Sequence, residues 1–248
     1  LAIPLVGIVD TGLMGHLESE KYLIAVSIAS TFLTIIFWSF GFLRMGTVGL
    51  VSQTFGKSDY RELVNIILRN FCLAFIIAFL IIIFKPVLIN IIFKIFSVSS
   101  ETNSFIKDYI SIRVFSAPAE LTIYVLIGFF LGIQRTIISS SLIIMLSILN
   151  ICFSIYFVNE LGLNVKGVAF GTLLSAYITF LSFSVYTYFY FIKIFKVIPR
   201  FAYKKLLNFK KILKLLIINF NIFIRTFLLT LSFFWITYLG STLGEEYV

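Results

Sequence analysis

Long apolar runs alternate with short polar connections along the chain, and this pattern predicts its elements. A bilayer core about 30 Å thick takes about 20 apolar residues of helix. Seven runs stand out: 1–15, 22–51, 66–84 with a continuation to 96, 109–132, 137–158, 168–192 and 215–239. The first has 15 residues, about 22 Å of helix, so that helix is expected to continue before Leu1. A signal-peptide core is the rival reading of this run, but it lacks a basic leader, carries Asp10 and is followed at once by another long run. The predicted class is all-α, a polytopic transmembrane helical bundle.

Composition excludes an ordinary soluble domain, since 60% of the residues are hydrophobic, 12% are charged and mean hydropathy is +1.07. Cys72 and Cys152 fall inside apolar runs, where cysteine behaves as a small hydrophobe, so no disulfide or zinc framework is expected.

The net charge of +9 matters through its distribution. Between runs six and seven, "KIFKVIPRFAYKKLLNFKKILK" holds Lys193, Lys196, Arg200, Lys204, Lys205, Lys210, Lys211 and Lys214 without an acid. By the positive-inside rule this connection is cytoplasmic. Alternation puts Lys57, Arg61, Arg69 and Arg135 on the same side, with Lys21, Lys85, Lys94, Lys107 and Lys166 opposite. The N-terminus is then expected inside and Val248 outside, in an inner membrane. Nucleic acid is not an expected partner, because there is no reading domain and contact with anionic lipid accounts for the basic loop.

The same loop is the expected boundary: residues 1–192 form one bundle, 193–214 a basic linker, and 215–248 the first helix of a second bundle. "LVNIILRNF" is expected to lead amphipathically into run three, and "VSSETNS" to be an exposed loop with capping residues. Neither is expected to carry chemistry.

A carboxylate at bilayer depth costs about 3 kcal/mol, so ionisable residues within the runs are functional candidates. They are Asp10, Arg113, Glu120 and Arg225, with Arg44 nearer the inner boundary. Asp10 lies about 9 Å before the outer end of its run and is read as a cation or proton site. Asn150 and Ser154 lie one turn apart near the outer end of run five, on one face with Ser147. Thr172 lies about one turn below the outer boundary of run six, at a similar depth. Ser175, Thr179 and Ser182 continue that stripe and are expected to pack helices and hydrogen-bond across an interface.

Arg113 and Glu120 are seven residues apart, about 10 Å along a helix. That is too far for a direct pair, but close enough for a shared intramembrane polar network, to which Arg225 is also assigned. His16, the one histidine, is expected at the outer surface. With no phosphate loop, catalytic triad or metal-ligand cluster in the sequence, neither an enzyme nor a cofactor is expected.

Several segments resemble one family: "IPLVGIVDTGLMGHL", "FLRMGTVGLVSQTFGK", "IRVFSAPAE", "GFFLGIQR", "ILNICFS", "VKGVAFGTLLSAY" and "NFNIFIRTFLL". Together they are similar to the multidrug and toxic compound extrusion (MATE) family, in its DNA-damage-inducible F (DinF) type branch. The resemblance implies a six-helix N-terminal lobe plus a seventh helix that opens a missing C-terminal lobe. It further implies alternating-access export of small organic compounds, often cationic or amphipathic, against an inward proton or sodium flow. By that comparison Asp10 matches the first-helix aspartate proposed to carry the coupling ion, and Asn150 and Thr172 match polar partners. Ser154 stands where the family commonly has a second aspartate, and Asn221 where the branch commonly has one two residues after the position of Asn219. A lipid-linked precursor flippase of the same superfamily is the alternative within transport, and a non-transporting scaffold or sensor the alternative outside it.

Overall fold

The computed structural model describes residues 12–15, 20–96, 98–199 and 209–243. Among these there is no strand. Residues 12–15 are helical, and Met14 is wholly buried. Asp10 and His16 lie outside the described residues.

Run two is two helices, α1 (Glu20–Ser39) and α2 (Phe42–Gly56), hinged at Phe40 and Gly41. A tight turn follows, in which Ser58 takes a φ of 55°. The Asp59 side chain then accepts from Glu62 N at 3.1 Å and caps α3 (Tyr60–Ile83). The expected continuation of run three to Phe96 is a separate short helix, α4 (Lys85–Ile95). Pro86 is the reason: it has no N–H to continue α3 but suits the first turn of a new helix.

Run four is a bent span of α5 (Ser100–Arg113), a 3-10 turn (Val114–Ser116) and α6 (Ala117–Gly132). Its helix starts well before the apolar run, because Ser99 caps it by accepting from Thr102 N at 3.3 Å. Its early polar residues find ion-pair partners: Glu101 with Lys21, and Asp108 with Lys166 at 3.3 Å. The remaining helices are α7 (Thr136–Ile155), ending in a π turn (Tyr156–Glu160), α8 (Asn164–Lys193) and α9 (Phe209–Leu243). Among the described residues five stretches, Glu20–Gly56, Tyr60–Ile83, Ser100–Gly132, Thr136–Glu160 and Asn164–Lys193, are long and apolar enough to cross a membrane.

Helix α6 is the centre of the bundle, packed against α2, α3, α7 and α8. Its approach to α2 depends on two glycines four residues apart. A Cβ on Gly128 would lie 2.6 Å from Arg44 O, and one on Gly132 would lie 2.7 Å from the Val51 side chain. Such small-residue pairs let helices pack closely where lipid offers no hydrophobic drive. Around this axis α1 packs on α5, α5 on α8, and α7 on α8. The outer surface is apolar, with Ile35, Phe79, Ile137, Leu181 and Phe189 exposed, as a lipid-facing bundle requires.

Candidate functional site

Helices α7 and α8 form an antiparallel pair joined by a short turn at Gly162, whose φ of +63° suits glycine. The pair is tight because Gly171 faces α7 and Gly167 faces the π turn that follows it. A Cβ on Gly171 would lie 2.7 Å from Ser154 Oγ and 2.8 Å from Ser154 N. This closeness brings Asn150 of α7 to Thr172 of α8, and Asn150 Nδ2 donates to Thr172 Oγ1 at 2.8 Å. The Thr172 hydroxyl in turn donates to Val168 O at 3.1 Å.

Two oxygens beside this contact make no hydrogen bond among the described residues. Asn150 Oδ1 and Ser154 Oγ are buried without a partner among the described residues. A buried acceptor with no donor loses the hydration it would have in water, so these oxygens would gain from a proton donor or a cation beside them. The structure thus joins Asn150 to Thr172 and sets Ser154 one turn away. Asp10, the expected charged member, lies outside the described residues.

The rest of the α8 stripe differs from expectation. Ser175 is buried but donates within its own helix, to Thr172 O at 2.9 Å. Thr179 is buried with Oγ1 unpartnered among the described residues, and Ser182 is exposed. Hydrogen bonding across an interface by Ser175, Thr179 and Ser182 is therefore corrected. A helical serine or threonine reaches the carbonyl of its own preceding turn more easily than a neighbouring helix. Ser147 behaves in the same way, donating to Ile143 O at 3.0 Å.

Arg113 and Glu120 form a direct ion pair, contrary to the expectation from axial distance. The long arginine side chain spans the intervening 3-10 turn, and Ser116 Oγ in that turn lies 2.8 Å from Glu120 Oε1. The guanidinium also lies 5.2 Å from the centre of the Phe37 ring, so α1, α5 and α6 meet at this cation. Arg225 does not join them. It is exposed on α9, where it lines an open depression with Asn221, Ile224, Leu228 and Ser232.

A second polar cluster was not expected to carry chemistry. In "LVNIILRNF", Asn65, Arg69 and Asn70 are buried, and Glu62 just before them takes hydrogen bonds from Asn65 at 3.1 Å, Arg69 at 2.9 Å and Lys211 of α9 at 2.8 Å. The signal was available, since Glu62, Asn65 and Arg69 recur at helical intervals on one face. Helix α9 also rests on α2: Asn219 is buried against Gly46, where an added Cβ would lie 2.0 Å from Asn219 Oδ1.

The sequence model of the MatE family matches residues 1–156. The chain belongs to the MatE family. Over its whole length it is 32% identical to DNA damage-inducible protein F of Escherichia coli (strain K12), of which it covers 53%. Two solved structures share the fold. An outward-facing multidrug resistance MATE family transporter of the MOP superfamily matches 99% of this chain and 53% of its own, at 22% identity and a TM-score of 0.78. A MATE protein in complex with MaD3S matches 99% of this chain and 54% of its own, at 20% identity and a TM-score of 0.80. The chain thus spans about half the length of these relatives. Members of the family are membrane transporters and not enzymes.

Proposed function

We propose that the chain is the first lobe, with the first helix of the second, of a secondary active efflux antiporter. The complete protein would export organic, cationic or amphipathic compounds in exchange for protons or sodium, from an inner membrane with its N-terminus in the cytoplasm. Family membership and the multidrug resistance transporter of like fold support the export reading. The observation that carries the coupling reading is the Asn150–Thr172 contact with Asn150 Oδ1 and Ser154 Oγ left without donors among the described residues, inside an apolar bundle. Such oxygens gain most when a proton or cation arrives beside them, and Asp10, the lone ionisable side chain of run one, is the group that would bring it.

Binding at this site would favour one arrangement of the first helix over another, which is what exchange of one solute for another requires. The test is gradient-driven flux by the full reading frame in liposomes. Asp10→Asn should fold, because the amide is nearly isosteric and uncharged, and should lose flux. Asp10→Glu should keep part of it. Full flux by Asp10→Asn, at unchanged thermal stability, would end the coupling role.

A further inference from the structure

We propose that the Glu62–Lys211 ion pair is a latch. It holds α9 on the first lobe while the transport path is open to the outside, and it parts when the path opens inward. This rests on the alternating-access reading above.

Three donors converge on the Glu62 carboxylate, two of them from its own helix. Arg69 holds Oε1 at 2.9 Å, and Asn65 and Lys211 hold Oε2 at 3.1 and 2.8 Å. The donors differ in burial: the Arg69 side chain is 6% exposed and that of Lys211 is 48% exposed. Withdrawing Lys211 returns an ammonium to water and leaves Glu62 still neutralised by Arg69. No unpaired buried charge is created, which is the usual reason a buried ion pair resists breaking. The contact is therefore built to separate and re-form.

Its position fits the same use. Lys211 lies at the basic end of α9, and further along that helix Asn219 sits on Gly46 and the Phe223 ring meets Phe42 edge-on at 6.0 Å between centres. On α2 the order is reversed, with Gly46 deeper toward the basic end than Phe42, so the two helices run antiparallel in register. The side chains of Asn221, Ile224, Arg225, Leu228 and Ser232, which extend toward the other end, line an open depression instead. Helix α9 is thus fastened to the first lobe at its basic end, and opening a path at that end requires Lys211 to leave Glu62.

The seam provides its own reporter. In the full-length protein, with native cysteines replaced by alanine, Asn219→Cys puts a smaller thiol in a buried position against Gly46. A membrane-impermeant maleimide applied to the cytoplasmic face should label it slowly. Adding Lys211→Met should raise the labelling rate about five-fold, the shift expected for losing one partly exposed ion pair, and Lys211→Arg should restore the slow rate. Equal labelling in the Lys211→Met variant and its parent, or an equal rise in Lys211→Arg, would overturn the latch. Flux of the unmodified protein, measured in parallel, separates the two ideas: no gradient-driven flux there would overturn the antiporter reading, whereas unchanged labelling beside normal flux would overturn the latch alone.

Discussion

Asn150 and Thr172 join α7 to α8 through a 2.8 Å hydrogen bond, and the same asparagine keeps its carbonyl oxygen unpartnered among the described residues. Thr172→Val keeps the shape but removes the acceptor, leaving both ends of the amide without a partner. The expected loss is about 1–3 kcal/mol of stability, read as a lowered Tm of the full-length protein in detergent, while Thr172→Ser should stay near the parent value.

Gly171 tests the packing that makes this contact possible. Gly171→Ala puts a methyl group 2.7 Å from Ser154 Oγ and 2.8 Å from the Ser154 backbone nitrogen. Overpacking of this kind costs about 1–3 kcal/mol. Because the backbone atom cannot be removed, Ser154→Gly should rescue the alanine variant only in part. Complete rescue of Tm would show that the helices can move apart.

Ser154→Asp would set a carboxylate one turn from Asn150. Hard cations prefer charged oxygen ligands, so sodium binding by the full-length protein should rise. An unchanged sodium titration would count against a site at these residues.

The Arg113–Glu120 pair predicts a marked asymmetry between single and double changes. Both side chains are largely buried, at 13% and 14% exposure. Removing one partner should cost about 3–5 kcal/mol, whereas Arg113→Met with Glu120→Gln should cost much less, since neither charge is stranded. Thermal unfolding of the two single variants and the double variant measures this directly, and additive losses would contradict the direct pair.

Orientation gives a further expected outcome. Cysteine replacing Lys205 should be labelled by an impermeant reagent from the cytoplasmic face, and cysteine replacing Lys166 from the exterior, because basic connections resist translocation. The reverse pattern in intact cells would invert the topology.

Run lengths and basic loops were sufficient to predict an all-helical, polytopic chain, because hydropathy along a membrane helix reflects one dominant cost, that of placing polar groups in lipid. The Asn150–Thr172 contact was legible as two polar residues at matching depth, but its closeness depends on Gly171, whose role emerges only when α7 and α8 are side by side. Axial spacing misled for Arg113 and Glu120, since it neglects the reach of an arginine across a 3-10 turn. Lys211 could not be matched to Glu62 from sequence. The two are far apart along the chain, and nothing in a one-dimensional charge pattern says which lysine of a basic loop lands on which carboxylate.

The glycine contacts of α2 have a mechanical consequence. On one flank the helix meets Gly128 and Gly132 of α6, and on the other its own Gly46 meets Asn219 of α9. At Gly128 the opposing atom is the Arg44 carbonyl oxygen, part of the main chain, so there is no rotamer there to absorb a displacement. Close-packed interiors transmit strain instead of damping it. Helix α2 is therefore tied to the central helix of the lobe by a main-chain contact, and a push delivered through the Asn219 side chain of α9 would reach the middle of the bundle across a seam that, at Gly128, has no side chain to yield.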